Sequence, residues 1–473
     1  MGAPVIVINS REAAKDLLEG RSLIYADRFG FAIPMFSPVL LTRCCRPNFP
    51  MLNDLMGFGW ETAFAHYGEV WKAHRKIFYQ EFGGSNAATY NHQQVDSARF
   101  LLRRLLDDPD VFMDSIRLMA GRMILGLTYG INVKAADDYY LQIAEASLKA
   151  MAVAANAGSF LVDIFPLLRF TPDWFPGAGF KRKAKEWRKP IVAMPAVTMD
   201  FVEQSIVGRV FLSASEIVDP KQKNGSAEPS IAYKYLSQMD ADEARTKEAE
   251  EILSGTMASF YAGGADTTVS TLCSFVLAMV LYPEVQKKGQ AAVDEATGSG
   301  RLPEFNDCKS MPYLQAIVNE VLRWAPVVPL AISHRCSEDN KYRGYDIPAG
   351  ATVVGNVWAL LNDESAYGPD THKFSPDRFM KDGNLNPAVP FPSEAFGFGR
   401  RICPGQNLAV DSVRITIASL LAVFEFGKAV NGDGKTIEPS GEYTSGMLSY
   451  PMPFKCSIRP RSDAAVSMIN LED

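Results

Sequence analysis

The stretch Phe396-Gly397-Phe398-Gly399-Arg400-Arg401-Ile402-Cys403-Pro404-Gly405 sets one cysteine in a glycine-rich loop beside two arginines. That pattern suits a thiolate ligand held against an anionic cofactor, because the thiolate and not the thiol binds metal. Downstream, residues 406–424 read as an apolar helix with Leu408, Ile415, Leu420 and Leu421 for burial. A helix that starts just after the cysteine aims its positive end and free N–H groups at the sulfur. Pro404 has no N–H, so the donors come from Gly405 or Gln406. Gly397, Gly399 and Gly405 permit tight turns and close approach of the backbone to a flat ligand. Taken alone, a lone cysteine reads better as a small buried side chain near a basic turn; the matched positions around it reverse that reading.

A second pattern stands upstream. From Glu248 to Tyr282 the chain reads as one long helix, ~50 Å by its rise per residue, stopped before Pro283. Its middle is Ala262-Gly263-Gly264-Ala265-Asp266-Thr267-Thr268. Paired glycines weaken a helix interior and often mark a local widening or kink. Asp266 and Thr267 put an acid and a hydroxyl at that weak point, a pair able to relay protons. The alternative is a kinked core helix with a threonine bonded back to its own turn. Further on, Glu320-Val321-Leu322-Arg323 places an acid and a base on one helix face. Phe374-Ser375-Pro376-Asp377-Arg378-Phe379 adds a later arginine, and Trp71-Lys72-Ala73-His74-Arg75 sets Trp71 and Arg75 one turn apart.

These stretches together resemble the cytochrome P450 family. Phe396, Gly399, Arg401, Cys403 and Gly405 fill the fixed positions of its Phe-x-x-Gly-x-Arg-x-Cys-x-Gly loop. The resemblance is nearest to fungal microsomal haem-thiolate monooxygenases of the O-methylsterigmatocystin oxidoreductase-like type. Residues 51–57, 174–180 and 345–350 carry it beyond the motifs. It implies a mainly α fold with a small β portion, and haem b held by a Cys403 thiolate. It also implies activation of O2 for insertion into an unactivated C–H bond. Asp266 and Thr267 would supply and orient protons. Arg401, Trp71, Arg75 and His334 would meet the haem propionates. Glu320, Arg323 and Arg378 would form a structural triad. By the same resemblance the substrate pocket draws on Phe58, Trp60, Tyr261, Ala262, Val328, Leu330, Met447 and Leu448, mostly apolar side chains suited to a hydrophobic secondary metabolite.

Composition agrees with this and narrows it. The 473 residues suffice for a large core, and the ordered motifs point to one domain over 1–473. A net charge of −6, from 48 basic and 54 acidic residues, does not suggest nucleic-acid binding. Seven cysteines are scattered without a disulfide framework, and the histidines lack zinc-ligand spacing. No flavin or nicotinamide fingerprint appears. Electrons are therefore expected from a separate NADPH-dependent reductase, docked on a basic helix face at Lys72, His74 and Lys76. The aromatic, proline-rich segment 160–180 is expected to touch a bilayer, and the family resemblance implies the cytosolic face of the endoplasmic reticulum.

Helices are predicted over 98–106, 112–127, 139–153, 180–207, 240–282, 283–296, 312–324 and 406–424. Strands are predicted over 5–8, 342–347, 352–357 and 454–458. Residues 219–230 read as a flexible polar loop. Two departures from the family pattern stand out. The chain opens directly on the strand at 5–8, without the membrane helix, proline-rich hinge and first strand of the family. Residues 29–46 form an atypical apolar insert, read either as a translated intron or as a longer loop that dips into a membrane. Those departures support an alternative reading, a truncated, catalytically silent and haem-poor member. A haem-thiolate isomerase or lyase is another, against which the Asp266–Thr267 pair argues.

Overall fold

A computed structural model describes residues 4–28, 49–156, 158–214, 229–298 and 300–470. The atypical stretch 29–46 and residues 219–228 of the polar loop lie outside the described part. The long helices are α1 (Glu69–Phe82), α2 (Asn91–Asp107), α3 (Phe112–Tyr129), α4 (Tyr139–Ala154), α5 (Gly179–Ala214), α6 (Ile231–Ala241), α7 (Lys247–Leu281), α8 (Pro283–Thr297), α9 (Pro312–Trp324) and α10 (Gln406–Val423).

Helix α7 organises the rest. It is apolar on nearly every face, the composition of a helix buried all round. By length and composition it could cross a membrane, but 83% of its most apolar window is buried in the protein, so it is a core helix. Its first half, through Leu253, Met257, Tyr261 and Ala265, packs into one apolar cluster with α3, α4 and α5. Its second half, from Val269 to Val280, packs into another with α2, α9 and α10. The changeover falls between Ala265 and Val269, at the Asp266–Thr267 pair.

The sheet is small. Strands β1 (Val5–Ile8), β2 (Asp27–Arg28), β3 (His334–Arg335) and β6 (Thr352–Gly355) form one sheet in the order β1-β6-β3-β2, with β1 parallel to β6. Arg28 stands opposite His334 in the β2–β3 register. Strands β4 (Asn340–Tyr342) and β5 (Tyr345–Ile347) pair with each other.

Several boundaries differ from the sequence prediction for local reasons. The run predicted over 240–282 is two helices. Glu243 adopts φ +50°, and Thr246 caps α7 by accepting the Ala249 N–H at 3.2 Å. The strand predicted over 342–347 is a hairpin that turns at Arg343 (φ +50°) and Gly344 (φ +86°). The strand predicted over 352–357 stops at Gly355, because the Asn356 side chain caps a short helix, Val357–Leu361. The helix predicted to end at 207 continues to Ala214 in spite of Pro190 and Pro195.

Candidate active site

The cysteine loop is built on the start of the chain. Gly397 (φ +82°) and Gly399 (φ +51°) turn the backbone. A Cβ on Gly399 would lie 2.0 Å from the Leu18 carbonyl oxygen, so only glycine fits. The Cys403 N–H donates to the Phe396 carbonyl at 2.7 Å, which closes the loop. Cys403 is half-buried, and α10 begins three residues on. Burial pushes its thiol up, while a hydrogen bond from the Gly405 N–H and the charge of Arg75 act the other way. The sulfur's donor is thus Gly405, one of the two residues expected.

Basic side chains crowd beside this loop. The Arg401 guanidinium lies 4.4 Å from the Trp71 ring centroid. Its Nε donates to the Ala26 carbonyl at 2.6 Å and its Nη2 to that of Ala65 at 2.8 Å. Its Nη1 is buried with no partner. Arg28 is buried and donates to the carbonyls of Ala63 and Ile332. His334 is buried, and its Nδ1 meets the Tyr25 carbonyl at 2.7 Å. Burial, and then Arg75, bring Arg401 down to about 10, although Asp27 opposes them. Burial and Arg401 hold Arg28 well below its usual range. Burial, Arg28 and Arg401 bring His334 to about 3. Like charges held this close disfavour one another; an anion among them would remove the penalty.

Helix α7 passes Gly263-Gly264 as unbroken α-helix, without a local widening. The two glycines do different things. A Cβ on Gly264 would lie 2.8 Å from Ile124 Cδ1, so Gly264 lets α3 approach closely. A Cβ on Gly263 would meet nothing within 4 Å. Between buried Ala262 and Thr268, Gly263 is exposed, and Gly264 and Thr267 are half-buried. Gly263 and Thr267 face an open space. The Thr267 hydroxyl donates to the Gly263 carbonyl at 2.7 Å. Asp266 is buried on the next face and accepts from Arg117 Nη1 on α3 at 2.6 Å. Acid and alcohol are neighbours in sequence, but each bonds elsewhere.

The three residues of the expected triad do meet. Glu320 Oε2 accepts Arg323 Nε at 2.7 Å, and Glu320 Oε1 accepts Arg323 Nη2 at 2.8 Å. Arg378 Nε reaches Glu320 Oε1 at 3.1 Å. Arg323 also donates to the carbonyls of Leu361 and Thr371. Glu320 and Arg323 are fully buried.

Comparison with known proteins fits this geometry. The Cytochrome P450 family model matches residues 44–456. The chain belongs to the cytochrome P450 family. It is 41% identical over 470 residues to cytochrome P450 monooxygenase eriA of Hericium erinaceus, covering 99% of this chain and 82% of that one. It is 39% identical over 475 residues to a cytochrome P450 monooxygenase of Armillaria gallica, covering 100% of this chain and 86% of the relative. It is 37% identical over 475 residues to tryptamine 4-monooxygenase of Psilocybe cyanescens, covering 99% and 86%. Cytochromes P450 are haem-thiolate enzymes, and these relatives are monooxygenases.

The residues present fit haem. A loop cysteine with a backbone donor faces one way, and the orphaned Arg401 Nη1 within a knot of basic groups matches the carboxylates of a porphyrin edge. The remaining side chains named from sequence scatter. Phe58 and Tyr261 are packed in the core, and Ala262 is buried beside them. Trp60, Val328, Met447 and Leu448 are half-buried, and Leu330 is exposed. Met447 donates its N–H to Asn156 Oδ1 at 2.7 Å. His74 does not join Lys72 and Lys76 on the surface. It is buried against Thr256 of α7, because residues two apart point to different sides of a helix. Sequence reasoning missed Arg28 and Arg117. Arg28 was within reach, as a charged residue ending the first apolar segment. Nothing in the local pattern marks Arg117.

Proposed function

We propose that this cytochrome P450 oxidises a hydrophobic small molecule with O2 and electrons from an NADPH-dependent reductase. The carrying observation is the half-buried Cys403 loop, with the Gly405 N–H at the sulfur and the buried, unpartnered Arg401 Nη1 in the same loop. When bound, haem supplies the activation of O2 that puts one oxygen atom into a C–H bond. Cys403 is its thiolate ligand on this reading, with the Gly405 N–H directed at the sulfur. Arg401, Arg28, Arg75, Trp71 and His334 hold the propionate edge, and Phe396, Gly399 and Gly405 shape the loop. Thr267 exchanges its bond to the Gly263 carbonyl for one to a group in the open space. Once it turns from Arg117, the Asp266 carboxylate takes a proton from solvent water and passes it to Thr267. Glu320, Arg323 and Arg378 brace the fold without touching substrate. The half-buried and exposed side chains at Trp60, Val328, Leu330, Met447 and Leu448 line the substrate space, with Phe58, Tyr261 and Ala262 packed behind them.

Two surfaces extend the reading. Lys72, Arg75 and Arg400 line a cleft with Tyr67 and Trp71 on the cysteine side, a basic face for an acidic reductase. Leu161, Phe165, Leu167, Phe170, Trp174 and Phe175 are all exposed. An apolar surface of this kind suits contact with the cytosolic leaflet of the endoplasmic reticulum. The test is the reduced, carbon monoxide-bound absorption spectrum. A strongly red-shifted Soret band is expected from the natural chain and not from Cys403→Ala. The same band in the variant, or none in the natural chain, overturns the proposal.

A further inference from the structure

Two stretches of chain meet at Arg401, and a side-chain bond ties them together. Arg401 Nε donates to the Ala26 carbonyl at 2.6 Å and Nη2 to the Ala65 carbonyl at 2.8 Å. The residues that follow those carbonyls are Asp27 and His66, and they bond to each other. Asp27 Oδ1 accepts from His66 Nδ1 at 2.9 Å. The same oxygen accepts the Tyr67 N–H at 3.2 Å and the Arg28 N–H at 3.0 Å. Arg28 Nε crosses back to the Ala63 carbonyl at 3.0 Å. Strand β2 and residues 63–67 are thus laced together around Arg401. Residues 65–67 belong to no helix or strand, so this lacing fixes where the Ala65 carbonyl stands.

A guanidinium is a rigid planar fork. Holding Nε and Nη2 on two carbonyls therefore aims the third nitrogen, Nη1, which is buried and has no partner. Asp27 also supplies charge to the cluster. Arg335 Nη1 stands 3.7 Å from its Oδ2, and its negative charge opposes the downward pull of burial on Arg28 and Arg401. Burial would raise the Asp27 carboxyl, but His66 above all, then the Tyr67 and Arg28 N–H groups, hold it below its usual range. The His66 side chain is 37% exposed and that of Asp27 20%, so the tie sits at the rim of the basic knot.

We propose that His66 is a positioning residue for haem: its bond to Asp27 sets the Ala65 carbonyl beside that of Ala26 and so aims Arg401 Nη1 at a haem carboxylate. The inference rests on the haem-thiolate reading and deepens it. How tightly haem is kept then depends on a side chain that no motif of the sequence contains.

The test is the rate of haem loss, read as transfer from the ferric holoprotein to excess apomyoglobin. His66→Phe keeps a ring and removes the donor. It is expected to lose haem about tenfold faster than the natural protein, the share of one hydrogen bond to a charged group. His66→Asn, whose amide nitrogen replaces Nδ1 as donor, is expected to restore a rate near the natural one. In an Arg401→Lys background, which removes the aimed fork, His66→Phe adds no further loss. A natural rate in His66→Phe, a His66→Asn protein as fast as His66→Phe, or the same acceleration beside Arg401→Lys overturns the inference. So does a His66→Phe protein without helical circular dichroism, since His66 would then brace the fold at large. If Arg401→Lys holds no haem, the first two variants decide alone. The reduced, carbon monoxide-bound spectrum separates the two readings. A red-shifted band from the natural protein with unchanged haem loss in the variants removes only the role of His66, and no band from the natural protein removes both.

Discussion

Arg117 donates to Asp266 at 2.6 Å across the contact of α3 with α7. The guanidinium also lies 6.0 Å from the Tyr450 ring centroid. It holds the carboxylate on the face of α7 next to the one that opens at Thr267. Arg117→Met removes that buried carboxylate's charged partner and leaves it only the Tyr450 hydroxyl. It is expected to lower unfolding stability by about 1–3 kcal/mol, while Arg117→Lys keeps most of it. Urea denaturation of the holoprotein checks this, and an unchanged midpoint in Arg117→Met contradicts it.

The Glu320–Arg323 pair is fully buried and bidentate. Removing one charge from such a pair strands the other, at a cost of about 3–5 kcal/mol. Arg323→Ala should therefore yield little soluble, haem-loaded protein. The ratio of Soret to protein absorbance, set against soluble yield, is the measurement. A normal ratio at normal yield would show that the triad does not brace the fold.

His74 gives a pH dependence with a definite sign. The Thr256 hydroxyl donates to the Ile252 carbonyl, so it accepts from His74 Nδ1–H. Protonating the other nitrogen would bury a charge, and burial lowers this imidazole to about 4. The unfolded chain, at about 6.5, binds the proton first as pH falls. Stability is therefore unaffected above about 6.5 and declines below it, by at most about 1.4 kcal/mol per pH unit, until about pH 4. His74→Gln should flatten the fall in melting temperature between pH 6.5 and 4.5. A slope identical to that of the natural protein would exclude His74 as its source.

Gly399→Ala confronts both a positive φ and the Leu18 carbonyl. The loop cannot keep its path with a Cβ there. The variant is expected to keep its helical circular dichroism and to lose most of its haem, measured after purification from cells supplied with excess haem. Full haem occupancy would mean that the loop has another conformation able to present Cys403.

Much of the site was legible because its motifs are local. The Cys403 loop and the Glu320–Arg323 pair declare themselves through spacing within a few residues, and the long helices through apolar content. What was not legible depends on distant strands and helices. Arg28 joins the basic cluster only because β2 lies beside β3. Arg117 reaches Asp266 only because Gly264 lets two helices close. The glycine pair suggested a local widening, yet one glycine packs, the other leaves room, and the α-helix continues through both. The break between α6 and α7 escaped notice because residues 242–246 carry no proline or glycine to punctuate it.

The cysteine loop leans on the opening of the chain, through Gly399 on Leu18 and Arg401 on Ala26, partners 375 residues apart in the second case. At usual elongation rates roughly 20–75 s separate their emergence from the ribosome. For that interval the first strand and its turn wait without the loop they support. On the reading proposed above, in which Cys403 is the ligand to iron, haem capture waits for that interval to pass.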